Sequence, residues 1–145
     1  MSVRKFQLPE FLKGTQTQET YERWLKRKAA AHLKRDRNRG NTIATGEMYR
    51  SAIHHAVVES LGRDNYTDED PDWTLLSQYD NAESKAHRRD YKRKFVLLPF
   101  GDHVNDGLSE ADFVISGWRT NDCKNDLTRE ELIEFCRKIL DHAGT

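Results

Sequence analysis

The sequence FVLLPFGDHVNDGLSEADFVISGWRTNDCKNDL, residues 95–127, decides the fold of this chain. Its opening residues, 95–98, are apolar and predict a buried strand that ends at Pro99. Residues 112–117 have an apolar centre and predict the partner strand. A long connection that includes Gly107 joins the two segments, so the stretch predicts a β-hairpin.

A helix over residues 129–143 is predicted downstream of the hairpin. Thr128 and Glu131 have the spacing of a capping box, and Leu127 and Leu132 stand at the two positions of a hydrophobic staple. Apolar residues then recur at helical spacing to the end of the segment.

Two further helices are predicted in the first half of the chain. In residues 17–39 apolar positions recur at helical spacing between Lys and Arg residues, which is typical of an amphipathic basic helix. Residues 45–61 repeat the pattern, and Gly62 follows at the carboxyl end. The two helices are expected to form an antiparallel or crossed pair. Residues 63–92 show little periodicity and predict no element.

Length and composition favour one domain with a thin core. A chain of 145 residues is long enough for one modest core. Hydrophobic residues make up 36% of the chain and charged residues 33%, and the mean hydropathy is -0.92. A chain this polar suits a protein that acts on a large polar partner.

Cysteine content and apolar runs exclude several classes of protein. Cys123 and Cys136 are the two cysteines, with no Cys-x-x-Cys pair, which excludes a disulfide scaffold and a four-cysteine zinc site but leaves a single disulfide open. No run approaches the ~20 apolar residues of a membrane span, and the amino terminus has no apolar signal region. We therefore expect a soluble, cytoplasmic protein with no membrane partner.

Positive charge is concentrated in two runs, although the 24 basic and 24 acidic residues cancel. One run lies in residues 23–39 and the other in residues 85–94, while acidic residues gather at 64–72. A positive face for a nucleic-acid backbone follows, with a solvated helix face as the alternative. The candidate phosphate-binding residues are Arg23, Lys26, Arg27, Lys34, Arg88, Arg89, Lys92, Arg93 and Arg119.

A motif of polar residues accompanies the hairpin. Asp102 and His103 follow the first predicted strand, Asp112 opens the second, and Asn121 and Lys124 form Asn-x-x-Lys. This arrangement resembles the HNH endonucleases, also called the His-Me finger or ββα-metal family. The likeness covers the hairpin and the polar segment after it, and the interval from Asp112 to Asn121 is that of common family members.

The resemblance implies an α+β fold within a single domain, residues 1–145. A mainly helical, basic region, residues 1–93, would pack on a ββα-metal core, residues 94–145, made of the hairpin and a helix. Many family members also hold a structural zinc between two Cys-x-x-Cys pairs. Gly117 and Thr120 occupy the places of one such pair, so no structural zinc is expected.

The motif residues suit the hydrolysis of a phosphodiester. An imidazole with its ordinary pKa of ~6.5 is largely neutral near pH 7, so His103 is the candidate general base that activates water. Mg²⁺ or Mn²⁺ is the expected cofactor, held by the carboxylate of Asp102 and the amide oxygen of Asn121. Neighbouring residues of a strand point to opposite sides, so Asp102 and His103 need a bend in order to meet.

Three assignments stay open at this point. Asp112 either accepts hydrogen bonds from the backbone of the hairpin loop or joins the metal ligands. Lys124 or Arg119 meets a phosphate, the first as a point charge and the second as a fork. Asn125 replaces Asn121 as a ligand if the helix starts one turn later.

Structural interpretations stand beside the functional ones. An Asp-His pair at a strand end more often belongs to a surface loop. His32, His54 and His55 are expected to be exposed or boundary residues rather than ligands. Trp73 and Trp118 are expected to pack in the core or the hairpin rather than stack on bases.

The sequence thus predicts a metal-dependent endonuclease that hydrolyses DNA, with RNA and branched DNA as open alternatives. The resemblance implies 5′-phosphate and 3′-hydroxyl products. The oligomeric state is open, and a homodimer is one option because double-strand cleavage needs two sites. The competing interpretation is a non-catalytic DNA-binding or protein-interaction module that retains the fold.

Overall fold

The computed structural model describes residues 5–76, 86, 93, 95–104, 107–108 and 110–144. Helices and a two-stranded sheet combine in an α+β arrangement, as the sequence predicts. In chain order the elements are α1 (Gln18–Asn38), α2 (Gly46–Ser60), β1 (Pro99–His103), β2 (Phe113–Gly117), α3 (Trp118–Lys124) and α4 (Arg129–Ala143), with 3-10 turns at Glu10–Leu12 and Trp73–Leu75.

Capping side chains fix where the first two helices begin. The Thr17 side chain accepts the backbone N–H of Thr20, and the Thr45 side chain accepts that of Met48. Helix α2 ends at Leu61, which adopts a left-handed conformation with φ 52°. Both helices predicted in the first half of the chain are confirmed.

Helices α1 and α2 pack against each other in opposite directions. At one end the Tyr21 hydroxyl lies 2.6 Å from Nδ1 of His54, and at the other the Tyr49 hydroxyl donates to Asp36 at 2.5 Å. Later positions of α1 therefore contact earlier positions of α2, so the two helices run in opposite senses, and the choice between an antiparallel and a crossed pair stays a prediction. Each large apolar side chain buried here stabilises the fold by about 2 kcal/mol. The core includes Leu12, Tyr21, Trp24, Leu25, Ala29, Tyr49, Ile53, Val57, Trp73, Phe113 and Ile115.

Strands β1 and β2 form an antiparallel hairpin whose register pairs Gly101 with Ile115. The second strand agrees with the prediction from the sequence. The first strand is displaced, because the sequence placed it at residues 95–98 and it runs over Pro99–His103. That placement was wrong.

Residues 95–98 form a turn because their apolar side chains have another role. The backbone N–H of Leu98 donates to the carbonyl of Phe95 at 2.9 Å and closes the turn. Phe95 and Leu98 are buried in a second small cluster with Trp118. An apolar run can thus be buried without pairing as a strand, and Pro99, which lacks an N–H, begins the strand instead.

The hairpin rests on the helices through a close approach of its backbone. Gly101 of β1 faces Ile53 of α2, and a Cβ on Gly101 would lie 3.7 Å from Cγ2 of Ile53, an ordinary van der Waals distance. Phe113 and Ile115 of β2 complete the core on the same side. The expected packing of a helical region on a hairpin is confirmed, whereas a ββα-metal core stays a prediction.

Helix α3 follows β2 without a loop, because Gly117 is both the last strand residue and the helix cap. Helix α4 begins with the predicted capping box, in which Thr128 and Glu131 exchange side-chain and backbone hydrogen bonds. Gly144 ends α4 with φ 81°, so the helix predicted over residues 129–143 is confirmed. Within the described part of the chain, no helix combines the length and the apolar character needed to cross a membrane.

Candidate functional site

Asp102 and His103 lie on opposite faces of the hairpin. Strand β1 stays paired with β2 through both residues, since Asp102 stands opposite Val114 and His103 opposite Phe113. Alternation along the strand turns the His103 ring toward α1 and the Asp102 carboxylate toward α3. The bend that would let them meet does not occur within β1, and the two residues border one cleft from two sides instead.

The His103 ring is held by a carboxylate of α1. Its Nε2 atom lies 2.7 Å from Oδ2 of Asp36, and its ring stacks on Phe113 with the centroids 4.5 Å apart. Both ring nitrogens are buried, and the Nε2 contact lacks the alignment of a good hydrogen bond. The contact with Asp36 is therefore close but poorly aligned, and among the described residues Nδ1 has no hydrogen-bond partner. Burial lowers the pKa of His103, and the nearby Asp36 carboxylate opposes that shift.

Asp36 is itself fixed by its neighbours. Its side chain is almost fully enclosed, with 1% of the residue exposed, and the Tyr49 hydroxyl donates to Oδ2 at 2.5 Å. Burial and the contact with Asp36 raise the pKa of Tyr49, so its hydroxyl keeps its proton. A Cβ at Gly107, where φ is 78°, would lie only 2.6 Å from Oδ1 of Asp36, so glycine lets the hairpin loop close over the carboxylate.

Sequence reasoning missed Asp36 because it lies in a run of charged residues. It nevertheless continues the buried stripe of α1, four residues after His32, which in turn follows Leu25 and Ala29 at helical spacing. A carboxylate on the buried side of an amphipathic helix was the available signal. Burying it without partners would be costly, which predicts a cationic or hydroxyl partner.

His32 contradicts the expectation of an exposed or boundary residue, because it is buried beside His103. Its Nε2 lies 2.8 Å from the carbonyl of Gly101, and its Nδ1 lies 3.1 Å from a guanidinium nitrogen of Arg35. Burial and the positive charge of Arg35 lower the pKa of His32 to about 3. The ring is therefore neutral, donates through Nε2 and accepts through Nδ1, so it ties β1 to α1.

The Asp102 carboxylate forms an ion pair with Lys124 on the side of the hairpin that faces α3. Its Oδ2 atom accepts the Tyr66 hydroxyl at 3.0 Å and lies 3.4 Å from Nζ of Lys124. Burial raises the pKa of Asp102, and the attraction of Lys124 and the hydrogen bond from Tyr66 oppose that shift without cancelling it. Lys124 is buried and paired here, whereas the sequence offered Lys124 or Arg119 as the contact to a phosphate.

A third buried carboxylate, that of Asp64, holds the segment that carries Tyr66. Oδ1 of Asp64 accepts the backbone N–H groups of Tyr66 at 2.7 Å and Thr67 at 3.1 Å, and Oδ2 accepts that of Gly117 at 2.8 Å. Asp64 thereby joins the loop after α2 to the start of α3. In the sequence Asp64 is only part of an acidic run, since nothing in the local pattern indicates that its carboxylate binds the N–H of Gly117, fifty-three residues away.

Asn121 lies in the middle of α3, because the helix starts at Trp118 and not one turn later. The alternative ligand Asn125 is the C-cap of α3, with φ 51°. The Asp112 side chain is exposed, and the carbonyl of Asp112, rather than its carboxylate, accepts the N–H of Val104 at 3.0 Å. Residues 105, 106 and 109 of the loop lie outside the described residues, so the role of the Asp112 carboxylate toward the loop or a metal stays a prediction.

An open cleft of about 830 Å³ brings most of the motif together. It is bounded by α1, the end of β1, α3 and the start of α4. Its walls include the motif residues Asp102, His103, Asn121 and Lys124, together with His32, Arg35, Asp36, Arg39, Phe100 and Asn125.

Metal binding at this cleft depends on few protein ligands. Among the described residues, no three His, Cys, Asp or Glu side chains group as a metal site. Mg²⁺ does not need such a cage, because it keeps several waters and binds through one or two carboxylates and phosphate oxygens. The donor set of Asp102 and Asn121 fits this requirement, provided that Lys124 releases Oδ2 of Asp102 when the cation arrives.

The cationic candidates fall into separate groups. Arg23, Lys26, Arg27 and Lys34 are exposed along α1, and Arg93 is also exposed. Arg119 pairs with Glu69 and lines a different groove, so the structure does not bring it to the cleft. Arg35 and Arg39, which were not among the candidates, do line the cleft. Arg88, Arg89 and Lys92 lie outside the described residues.

Comparisons with known proteins identify no relative of this chain. No family model matches the chain, and no match was found among curated proteins or solved structures. The likeness to HNH endonucleases therefore depends on the motif residues and on where the fold places them.

Proposed function

We propose that this chain is a metal-dependent endonuclease that hydrolyses phosphodiester bonds in DNA. The observation that carries the proposal is a single cleft bordered by Asp102, His103, Asn121 and Lys124, with His103 held by the enclosed carboxylate of Asp36. A histidine, a carboxylate, an amide and a cation are the groups that water activation and phosphate charge require.

His103 acts as the general base. In the tautomer with its proton on Nε2, toward Asp36, the lone pair of the ring lies on Nδ1, for which the described residues provide no hydrogen-bond partner. Burial keeps the ring neutral near pH 7, as a base must be before it takes the proton of water. Because Nδ1 is shielded from bulk water, the nucleophile enters the enclosed space with the substrate, or the ring turns toward the cleft.

Asp102 and Asn121 hold the divalent cation, Mg²⁺ or Mn²⁺, from β1 and α3. When bound, the cation supplies positive charge to the phosphate and to the leaving oxygen. With a cation held by Asp102, the ammonium of Lys124, which now lies 3.4 Å from Oδ2 of Asp102 and lines the cleft, would be available to a phosphate oxygen.

DNA approaches along α1. Its exposed cations continue into the cleft through Arg35 and Arg39, so a phosphate backbone lying on this helix leads to the motif residues. The chain as a whole carries no net charge, and binding therefore depends on this local face rather than on general attraction.

A plasmid-relaxation assay tests the proposal. Wild-type protein should nick supercoiled DNA with Mg²⁺ or Mn²⁺ and stop when the cation is chelated. Asn121→Ala should lose cleavage and keep DNA affinity, because a cation ligand is removed while the exposed face of α1 is intact. Cleavage that persists in chelator, or full activity of Asn121→Ala, would refute the cation site.

A non-catalytic DNA-binding module is the second candidate function. Two observations favour it: both ring nitrogens of His103 are buried, and Lys124 neutralises Asp102. This candidate predicts salt-dependent DNA binding without cleavage under any divalent cation. The same plasmid assay, run beside a binding assay, separates the two functions.

A further inference from the structure

Helix α4 carries an apolar face whose large side chains are largely exposed, and one flank of that face borders an open groove shared with Tyr66 and Cys123. None of its residues is buried. Ile133 is 39% exposed, Phe135 55%, Ile139 51% and Leu140 51%, which is unusual for large apolar side chains on one helix. A helix with this apolar content is stable in water when its apolar side is covered.

The apolar residues of α4 share one side of the helix. Leu132, Cys136, Ile139 and Ala143 follow each other at spacings of three and four, which places them in a line down the helix. Ile133 and Leu140 widen that line on one flank, and Phe135 widens it on the other. This set is the apolar face of α4.

Charges border the apolar face in a repeating order. Glu130 and Arg137, seven residues apart, follow one edge, and Glu131 and Lys138, also seven apart, follow the other. Both edges are acidic toward the start of α4 and basic toward its end. Glu134 lies on the opposite side of the helix from the apolar face.

We propose that a second copy of this chain covers the apolar face, with the two α4 helices antiparallel about a two-fold axis. In that arrangement Glu130 of one copy meets Arg137 of the other on one edge, and Glu131 meets Lys138 on the other edge. A parallel arrangement would instead bring acidic edges together at one end and basic edges together at the other. The charge order therefore selects both the partner and the direction.

The start of α4 is anchored close to the candidate active site. Arg129 donates to Oδ1 of Asn65 at 2.8 Å and lies over the Tyr66 ring, and Tyr66 bonds Asp102. Pairing through α4 therefore joins two clefts in a fixed relation. Cutting both strands of a duplex needs two sites, and such cutting by the two joined clefts rests on the proposed function. The interface itself does not depend on that function.

Sedimentation equilibrium of the full chain tests the interface without reference to activity. Wild-type protein should have about twice the monomer mass of 17.0 kDa at micromolar concentration. Ile139→Glu should raise the dimer dissociation constant by at least about a hundredfold, because a carboxylate would be buried at the interface. Glu134→Lys, the matched control on the opposite side, should leave it unchanged. Circular dichroism and thermal unfolding establish that each variant is folded.

A charge-exchange experiment tests the direction of pairing. Arg137→Glu and Glu130→Lys each place like charges at the same edge contact, and each alone should weaken the dimer by about tenfold. An equimolar mixture of the two variants should recover wild-type stability as a heterodimer, because each new charge then meets its opposite.

Several outcomes would overturn the proposal. A wild-type protein that is a monomer at the highest soluble concentration overturns it. If Ile139→Glu then unfolds, the apolar face of α4 is covered by the same chain. If Ile139→Glu stays folded, the face is left for another partner. A wild-type dimer whose charge variants do not recover on mixing refutes the antiparallel arrangement.

Discussion

Nε2 of His103 lies 2.7 Å from Oδ2 of Asp36, a carboxylate that comes from α1 rather than from the hairpin. The contact joins the first helix of the chain to the end of β1. It orients an imidazole whose pKa burial lowers. In the proposed function the proton lies on Nε2, toward Asp36, and the lone pair on Nδ1 takes the proton of water.

Asp36→Asn should reduce cleavage while DNA affinity is kept. The amide preserves the shape of the side chain but no longer attracts a proton on Nε2, so we expect kcat to fall by about a hundredfold with KM little changed. Single-turnover and steady-state cleavage measure both quantities. Tyr49→Phe, which leaves the Asp36 charge in place, is the matched control and should cost about tenfold or less. Undiminished kcat in folded Asp36→Asn would show that the carboxylate does not support the reaction.

His32 should make the protein sensitive to acid. Its pKa is about 3 in the folded chain against 6.5 for an ordinary histidine, so below pH 6.5 the unfolded chain takes up a proton that the folded chain does not. The stabilisation by neutral His32 is thus complete above pH 6.5 and declines as the pH falls toward 3. The free energy of unfolding should drop by about 2 kcal/mol from this residue between pH 6.5 and pH ~4.5. Urea unfolding of His32→Gln should show a smaller decline than wild type, and an equal decline would contradict the assignment.

Lys28 should make DNA binding depend on pH. Its Nζ atom lies 4.5 Å from the centre of the Phe100 ring, and burial, with Arg27 and Arg35, lowers its pKa to about 8. The charge is therefore mostly present at pH ~7 and mostly lost at pH ~9. If Lys28 meets a phosphate, the slope of binding against salt concentration should fall by about 0.9 between those two pH values. Lys28→Arg, which stays charged, should remove the change, and the same change in both proteins would assign it to another group.

Asp64 should contribute more to stability than its place in an acidic run suggests. It is buried and accepts three backbone N–H groups, so Asp64→Ala leaves those donors without partners. We expect a loss of about 3 kcal/mol in the free energy of unfolding. Asp72→Ala removes an exposed carboxylate that accepts from Thr74 and should cost about 1 kcal/mol. Similar losses for the two variants would contradict the role of Asp64.

Local signals explain which parts of the fold could be predicted from the sequence. Helices α1, α2 and α4 follow from apolar spacing, and α4 also from the capping box at Thr128, because both signals depend on residues a few positions apart. The first strand was predicted in the wrong place. Residues 95–98 are apolar because Phe95 and Leu98 are buried against Trp118, and not because the segment pairs with another strand. Strand pairing depends on residues far apart in the chain, so an apolar run does not by itself indicate which segment it pairs with.

In the candidate site, too, some residues were predicted from a local pattern and others depend on tertiary contacts. The motif named five residues: Asp102, His103, Asn121 and Lys124 border the cleft, and Asp112 does not line it. It did not name Asp36, which reaches His103 only because α1 and β1 pack together. A pattern within one segment identifies donors and acceptors, whereas the partner of a buried charge depends on tertiary contacts.

The most direct test of this account is the cleavage of supercoiled plasmid by His103→Ala under Mg²⁺, with His55→Ala as the matched control on the exposed side of α2. We expect His103→Ala to bind DNA as wild type does and to lose at least about a hundredfold in single-turnover cleavage rate, while His55→Ala keeps its rate. A His103→Ala protein that is folded and nicks DNA at the wild-type rate would contradict the assignment of the cleft as a nuclease site.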